Sequence, residues 1–131
     1  MRGLDSNVLL RLLLADDLRQ HEKAREFLAQ RSARDPAFVS WIVLCEVAWV
    51  LSRGERYSRE QIAEVFEGLL SAPEIRVDRE ESLAIAVEEF RASTTDFADL
   101  LIAMANSEAG CSDTVTFDRQ AAATGYMTLL R

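Results

Sequence analysis

The sequence predicts a small α/β domain with three layers, in which helices cover both faces of a short, mainly parallel central sheet. Short apolar segments with strand character alternate with longer amphipathic segments four or five times along the 131 residues. Helical connections between consecutive strands are crossovers, and crossovers make the strands parallel. The length suits one domain, residues 1–131, with a single hydrophobic core.

The N-terminal part of the chain predicts one strand and two helices. The strand ends at Asp5, and the apolar residues 8–14 form the first helix. A second helix opens at residues 16–17, with Leu18 on its predicted buried face. It ends before Pro36, because the residue that precedes a proline is pushed out of the helical region.

The middle of the chain predicts a second strand and two more helices. Residues 37–39 form the strand, and Ser40 is the expected N-cap of a helix that closes near Gly54. Residues 58–61 match a capping box, and the apolar spacing that follows is that of a half-buried helix broken by Pro73.

The C-terminal part of the chain continues the alternation. The predicted segments are a strand at 75–77, a helix around 83–90, a helix at 96–107, a strand at 114–117, a short helix at 118–123 and a strand at 126–130.

Composition and charge restrict the class of protein. The net charge of −7 argues against an extended phosphate-binding surface, but carboxylates that hold divalent cations also contribute to such a charge. Cys45 and Cys111 fit a reduced compartment better than a disulfide framework. An early acid and no small-residue cleavage site argue against a signal peptide, and no uncharged stretch reaches the roughly 20 residues that span a bilayer. We expect a soluble cytoplasmic protein.

Glu46 is the only charged residue in an apolar run of sixteen residues. On a helix its neighbours include Ile42 and Trp49, so we expect its carboxylate to be surrounded by apolar side chains. Burial of an unpaired carboxylate costs at least several kcal/mol. A compensating cation is therefore expected, either an arginine such as Arg11 or Arg53, or a metal ion.

Three further acids stand out against apolar surroundings, namely Asp5, Asp99 and Asp118. They follow strands or open helices, so with Glu46 we expect them at one rim of the sheet. Mg²⁺ prefers oxygen ligands, and paired ions activate water for phosphodiester cleavage. A structural role is the alternative to metal binding, since Asp5 and Asp118 could each be the N-cap of the helix that follows. For Asp96, capping is the preferred role.

Other polar or aromatic residues give weaker signals. Asn7 and Thr116 each stand two residues from an acid, where they could orient a carboxylate or a water, or simply form turns and caps. His21 falls on the buried stripe of its helix and is expected to be structural. Trp41 and Trp49 suit the core or a dimer interface. The two cysteines lack zinc-site spacing, and a single histidine leaves no catalytic triad.

Taken together, the acidic motifs resemble the PIN-domain ribonucleases. The similar segments are Asp5-Ser6-Asn7 after a strand, Glu46 in a Ser-x(5)-Glu helix, Asp99 in DFADLLIAMA and Asp118 in TVTFD. Their order and spacing match the acidic positions of that family over the whole chain. The chain length resembles the VapC-type toxins of type II toxin–antitoxin pairs.

The resemblance implies a Mg²⁺- or Mn²⁺-dependent endoribonuclease that cleaves RNA phosphodiesters with a metal-activated water. It also implies a cognate antitoxin whose C-terminal arm crosses the site, and a homodimer. On this analogy the catalytic and metal-binding residues are Asp5, Glu46, Asp99 and Asp118, with Asn7, Thr116 and Asp96 in support.

Two alternatives stay open at the level of sequence. A haloacid-dehalogenase-like phosphatase would use Asp5 as a covalent nucleophile. That class requires an acid two residues later and a lysine in the middle of the chain, whereas here Asn7 follows and Lys23 is the last lysine. The other alternative is a catalytically inactive PIN-like binding module whose acids are surface caps. Calorimetry with Mn²⁺ separates this alternative from the ribonuclease.

Overall fold

The computed structural model describes residues 1–131 and contains five strands and seven α-helices. The strands are β1 (Arg2–Gly3), β2 (Ala37–Val39), β3 (Ile75–Val77), β4 (Val115–Thr116) and β5 (Thr128–Leu129). The helices are α1 (Ser6–Leu13), α2 (Leu18–Ala29), α3 (Trp41–Trp49), α4 (Arg59–Ser71), α5 (Glu80–Ala92), α6 (Phe97–Glu108) and α7 (Arg119–Ala123). The alternation of short strands with helices confirms the predicted α/β/α class.

All strand pairs are parallel, but the strands form two separate sheets. The first has the order β1-β2-β3, and the second pairs β4 with β5. Each strand has only two or three residues, so the ladders are short and the two sheets do not join. The carboxyl end of β1 leads directly to Asp5, which places this acid at the rim where sites form in parallel sheets.

Helix ends follow the local signals in the sequence. The Ser40 hydroxyl accepts from the Val43 amide and caps α3, and α3 continues through a π-helical turn, Val50–Gly54. Ser58 and Gln61 form the predicted reciprocal capping box of α4. These bonds satisfy amides that have no partner inside their own helix, which fixes where each helix starts.

The core is one cluster of 24 buried residues in which aromatic rings join three helices. The rings of Phe66 and Phe97 are stacked with centroids 4.4 Å apart, and Phe90 meets Phe97 edge-on at 5.0 Å. Aromatic pairs of this kind add about 0.5–1.5 kcal/mol beyond the area that they bury. Trp41 also belongs to the core, and its indole Nε1 donates to the carbonyl oxygen of Leu101 at 3.0 Å. The contacts fix α6, which carries Asp99, against the rest of the domain.

Two predictions about α2 have different outcomes. Leu18 is 74% exposed, so its place on the buried stripe was wrong. It is the first residue of the helix and lies beyond the surface that Ala24, Phe27 and Leu28 cover. The structural role of His21 is confirmed, because its Nδ1 lies 2.7 Å from the Arg11 carbonyl oxygen. None of the helices has both the length and the hydropathy that a bilayer crossing requires.

Candidate active site

Three of the predicted acids line a single cavity of about 160 Å³. Asp96 and Asp99 come from the start of α6, and Asp118 comes from the start of α7. The side chain of Arg53, in the π-helical turn after α3, also lines this cavity. Three segments that are distant in sequence therefore form one polar concavity, which we call the acidic cavity.

Electrostatics in the acidic cavity disfavour the charged form of Asp99. Burial raises the pKa of the half-buried Asp99 carboxyl, and the negative charges of Asp96 and Asp118 raise this pKa further. Arg53 acts in the opposite direction, but its side chain is 61% exposed and its Nη2 lies 3.9 Å from Asp96 Oδ2. One solvent-screened cation thus faces three acids, so the acidic cavity carries an excess of negative charge.

Asp118 is both a helix cap and a cavity residue. Its Oδ1 accepts from the amides of Gln120 at 2.9 Å and Ala121 at 3.2 Å. Its own amide donates to the Thr116 hydroxyl at 3.0 Å, so Thr116 has the turn role that the sequence left open. Neither cap bond uses Oδ2 of Asp118. The cap therefore fixes the carboxyl group while one of its oxygens is left for a ligand.

The predicted position of Asp96 at the start of a helix is confirmed, because it is the N-cap residue of α6. Its side chain nevertheless makes no capping hydrogen bond. The carboxylate instead turns toward Arg53. Asp5 behaves similarly at the N-cap position of α1, where its exposed side chain makes no capping bond. Because neither side chain makes a capping bond, hydrogen-bonded capping does not account for the presence of an acid at these two positions.

The expected burial of Glu46 was also wrong. Glu46 is exposed, and it shares a solvent-facing side of α3 with Ile42 and Trp49, which are 72% and 54% exposed. The side of α3 that enters the core contains Leu44 and Val47, both 0% exposed. Because α3 is apolar on every side, hydrophobic spacing could not show which side faces the core.

Glu46 also lacks the arginine partner that the sequence allowed. Arg11 binds Asp16 at 3.2 Å, and Arg53 pairs with Asp96. The Glu46 carboxylate accepts a hydrogen bond from the buried Ser6 hydroxyl, which joins α3 to α1. Sequence reasoning did not identify Ser6 as a site residue, and its only signal was its position directly after Asp5.

The predicted site residues thus fall into two groups. Asp96, Asp99 and Asp118 surround the acidic cavity, whereas Glu46 is held by Ser6 next to Asp5. No three acidic, histidine or cysteine side chains gather in an arrangement that could hold an ion, so one site for all four acids stays a prediction. The donor set nonetheless fits Mg²⁺, which takes oxygen ligands and is commonly held by one or two carboxylates plus water.

Asn7, predicted to support the acids, is elsewhere. It is exposed, lines a different cavity between β1, α1 and α2, and makes no hydrogen bond to any of the four acids. The polar group near Asp5 and Glu46 is therefore Ser6.

Comparison with known proteins agrees with the resemblance seen in the acidic motifs. The sequence matches the PIN domain family over residues 4–125, a range that includes all of the predicted acids. The chain is 26% identical over 130 residues to a VapC ribonuclease of Aquifex aeolicus (strain VF5), a match that covers 98% of this chain and 96% of that protein. The chain therefore belongs to the PIN domain family.

Proposed function

We propose that the protein is a metal-dependent endoribonuclease and the toxin of a toxin–antitoxin pair. The observation that supports this most directly is the half-buried Asp99 carboxyl between the like charges of Asp96 and Asp118. Negative charge concentrated in a concave site is unfavourable without a cation, and clustered perturbed carboxyls are typical of functional sites. The similarity to a VapC ribonuclease supports RNA as the substrate.

The proposed metal ligands are Asp5, Glu46, Asp99 and Asp118, and the proposed ion is Mg²⁺ or Mn²⁺. When bound, such ions supply an activated water and stabilise the leaving oxygen of a phosphodiester. Neighbouring groups of the chain hold two of these carboxylates in position. The Asp118 cap fixes that carboxyl group, and the Ser6 hydroxyl orients Glu46. Arg53 neutralises part of the charge of Asp96.

The proposed partners are RNA, a cognate antitoxin and a second copy of the chain. An acidic cavity attracts a basic segment, which fits an antitoxin arm that blocks the site. The exposed Trp49 at the C-terminal end of α3 is a large apolar side chain that a homodimer would cover. The two free cysteines, Cys45 and Cys111, agree with a reducing cytoplasm.

Cleavage of RNA by purified protein tests the proposal. We expect Mg²⁺ or Mn²⁺ to permit cleavage that leaves a 5′-phosphate and a 3′-hydroxyl, and we expect EDTA to abolish it. Asp99→Asn should remove cleavage, because the amide is a poor substitute for a carboxylate ligand. Asp113→Asn is the matched control, since Asp113 is exposed and lies outside the acidic cavity.

Metal binding separates this function from the inactive module. Calorimetry should show Mn²⁺ binding to the wild-type protein and weaker binding to Asp99→Asn. A wild-type protein that binds no Mn²⁺ and cleaves no RNA would favour a binding module. The phosphatase alternative has no support from the family match, because the chain belongs to the PIN domain family.

A further inference from the structure

A second cavity, of about 460 Å³, lies between β1, α1 and α2 and has a charge opposite to that of the whole chain. Arg2, Arg11 and Lys23 line it, and no acidic side chain does. The chain as a whole has 22 acidic and 15 basic residues, so three cations without an acid are a local exception. We call this concavity the basic cavity.

The basic cavity combines its cations with an apolar wall. Leu4, Val8 and Phe27 contribute that wall. The guanidinium groups of Arg2 and Arg31 each lie 5.0 Å from the centroid of the Phe27 ring, so two cation–π contacts already engage this ring and hold the Arg2 charge at the cavity. Apolar surface beside fixed cations suits a ligand with a flat base and a phosphate. Proteins that bind single-stranded nucleic acid use this combination of contacts.

The cations of the basic cavity differ in how free they are to bind a ligand. Arg11 is partly neutralised, because its Nη1 lies 3.2 Å from Asp16 Oδ1. Lys23 is exposed and forms no ion pair, and Arg2 forms none either. The charge of Arg2 nevertheless acts on Asp35, because it contributes to the lowered pKa of that carboxyl. Lys23, the only lysine of the chain, is therefore the least compensated cation of the basic cavity.

The basic cavity is adjacent to the proposed catalytic acids along the chain. Leu4 and Asn7 line it, and Asp5 lies between them in sequence. Ser6, the other residue in this interval, donates to Glu46. A strand that presents a phosphodiester to Asp5 and Glu46 would therefore find the basic cavity beside it. This placement beside the proposed catalytic acids favours a phosphodiester substrate as the ligand of the basic cavity.

We propose that the basic cavity binds single-stranded RNA, with the phosphates on Lys23 and Arg2 and the rest of the nucleotide against the apolar wall of the cavity. The proposal rests on the ribonuclease function and supplies the substrate-binding residues for the same site. It also explains how a chain with a net charge of −7 retains a polyanion, since the cations that matter are concentrated in one place.

RNA binding without cleavage tests this proposal. The probe is a fluorescent single-stranded RNA oligonucleotide, and its anisotropy is followed in EDTA over a range of salt concentrations. Lys23→Gln should weaken binding on the order of fivefold and reduce the salt slope by roughly 0.7, the value for one lost phosphate contact on a single strand. Arg2→Gln is the second variant. Arg76→Gln is the matched control, because Arg76 is an exposed cation on β3, outside the basic cavity.

The outcomes separate this inference from the proposed function. Weaker RNA binding in Lys23→Gln but not in Arg76→Gln supports the basic cavity, even if the protein proves unable to cleave RNA. Equal binding by Lys23→Gln, Arg76→Gln and wild-type protein overturns it, even if metal-dependent cleavage is observed. Binding of polyglutamate to the wild-type protein that is lost in Lys23→Gln, with RNA binding unchanged, also overturns it and assigns the cavity to an acidic protein partner.

Discussion

The Ser6 hydroxyl donates a hydrogen bond to the Glu46 carboxylate and so joins two helices across 40 residues of sequence. Ser6 is buried and Glu46 is exposed, so a side chain within the fold holds one that faces solvent. Ser6 also follows Asp5 directly, at the carboxyl end of β1. The bond therefore fixes the relative positions of two proposed metal ligands that sequence alone does not connect.

Loss of this bond should lower activity more than stability. We expect Ser6→Ala to reduce kcat for RNA cleavage while KM changes little, because Glu46 loses its orientation. The free energy of unfolding should fall by about 0.5–1.5 kcal/mol, as for one net hydrogen bond. Steady-state kinetics and urea unfolding measure the two effects.

The control for Ser6→Ala is Ser82→Ala, which removes a serine–glutamate bond of the same kind, to Glu108, away from the acids. Wild-type kcat in Ser6→Ala would show that Glu46 needs no such support. Equal loss of kcat in both variants would show a general effect of destabilisation.

The raised pKa of Asp99 predicts a stability change that depends on pH. The folded state raises this pKa above its ordinary value of 3.8, so ionisation of Asp99 destabilises the fold. The penalty is absent below the ordinary pKa and grows as the pH rises through the raised one. Without metal, Asp99→Asn should therefore have a higher Tm than wild type at neutral pH, and the difference should vanish in acid below the ordinary pKa.

Two further measurements make the Asp99 test decisive. Mg²⁺ should raise the Tm of the wild-type protein more than that of Asp99→Asn, because a ligand that binds the folded state stabilises it.

Asp35→Asn is the control with the opposite sign, and it should lower the Tm at neutral pH without metal. The N-terminal ammonium and Arg31 lower the pKa of Asp35, so its charge stabilises the fold at neutral pH. A lower Tm in Asp99→Asn at neutral pH without metal would contradict the argument.

Sequence reasoning succeeded where the determining interactions are local. The capping box of Ser58 and Gln61 and the cap of Ser40 depend on atoms within three residues, so the sequence specifies them. The class of fold followed from the alternation of strands and helices. The division into two sheets did not, because strands of two or three residues have no pattern that shows which neighbours they pair with.

Tertiary contacts account for the errors at the candidate site. The uniformly apolar α3 gave no sign that Glu46 faces solvent beside Ile42 and Trp49. The pairing of Arg53 with Asp96 depends on the π-helical turn after α3, which has no sequence signature here. Asp99 was placed correctly at the start of its helix, but only the packing of α7 shows that Asp118 shares its cavity.

The exposed Trp49 at the C-terminal end of α3 predicts a contact of the homodimer. Trp49→Glu should convert a dimer into a monomer in light scattering, because a charge replaces the largest exposed apolar side chain of this helix. Ile85→Glu is the control, since Ile85 is 49% exposed on α5. A monomeric wild-type protein, or a Trp49→Glu variant that stays dimeric, would remove α3 from the interface.

Asp118 has two roles, as a helix cap and as a proposed metal ligand, and different substitutions should affect stability and activity separately. Asparagine is as good an N-cap as aspartate, whereas alanine cannot cap a helix. We therefore expect Asp118→Asn to be at least as stable as the wild type without metal, because it keeps the cap and removes a charge that repels Asp99, and to lose Mn²⁺ affinity and RNA cleavage. Asp118→Ala should lose the same activities and also about 1 kcal/mol of unfolding free energy, because the amides of Gln120 and Ala121 lose their acceptor. Calorimetry with Mn²⁺ and urea unfolding measure both roles, and full activity in Asp118→Asn would reduce this residue to a cap.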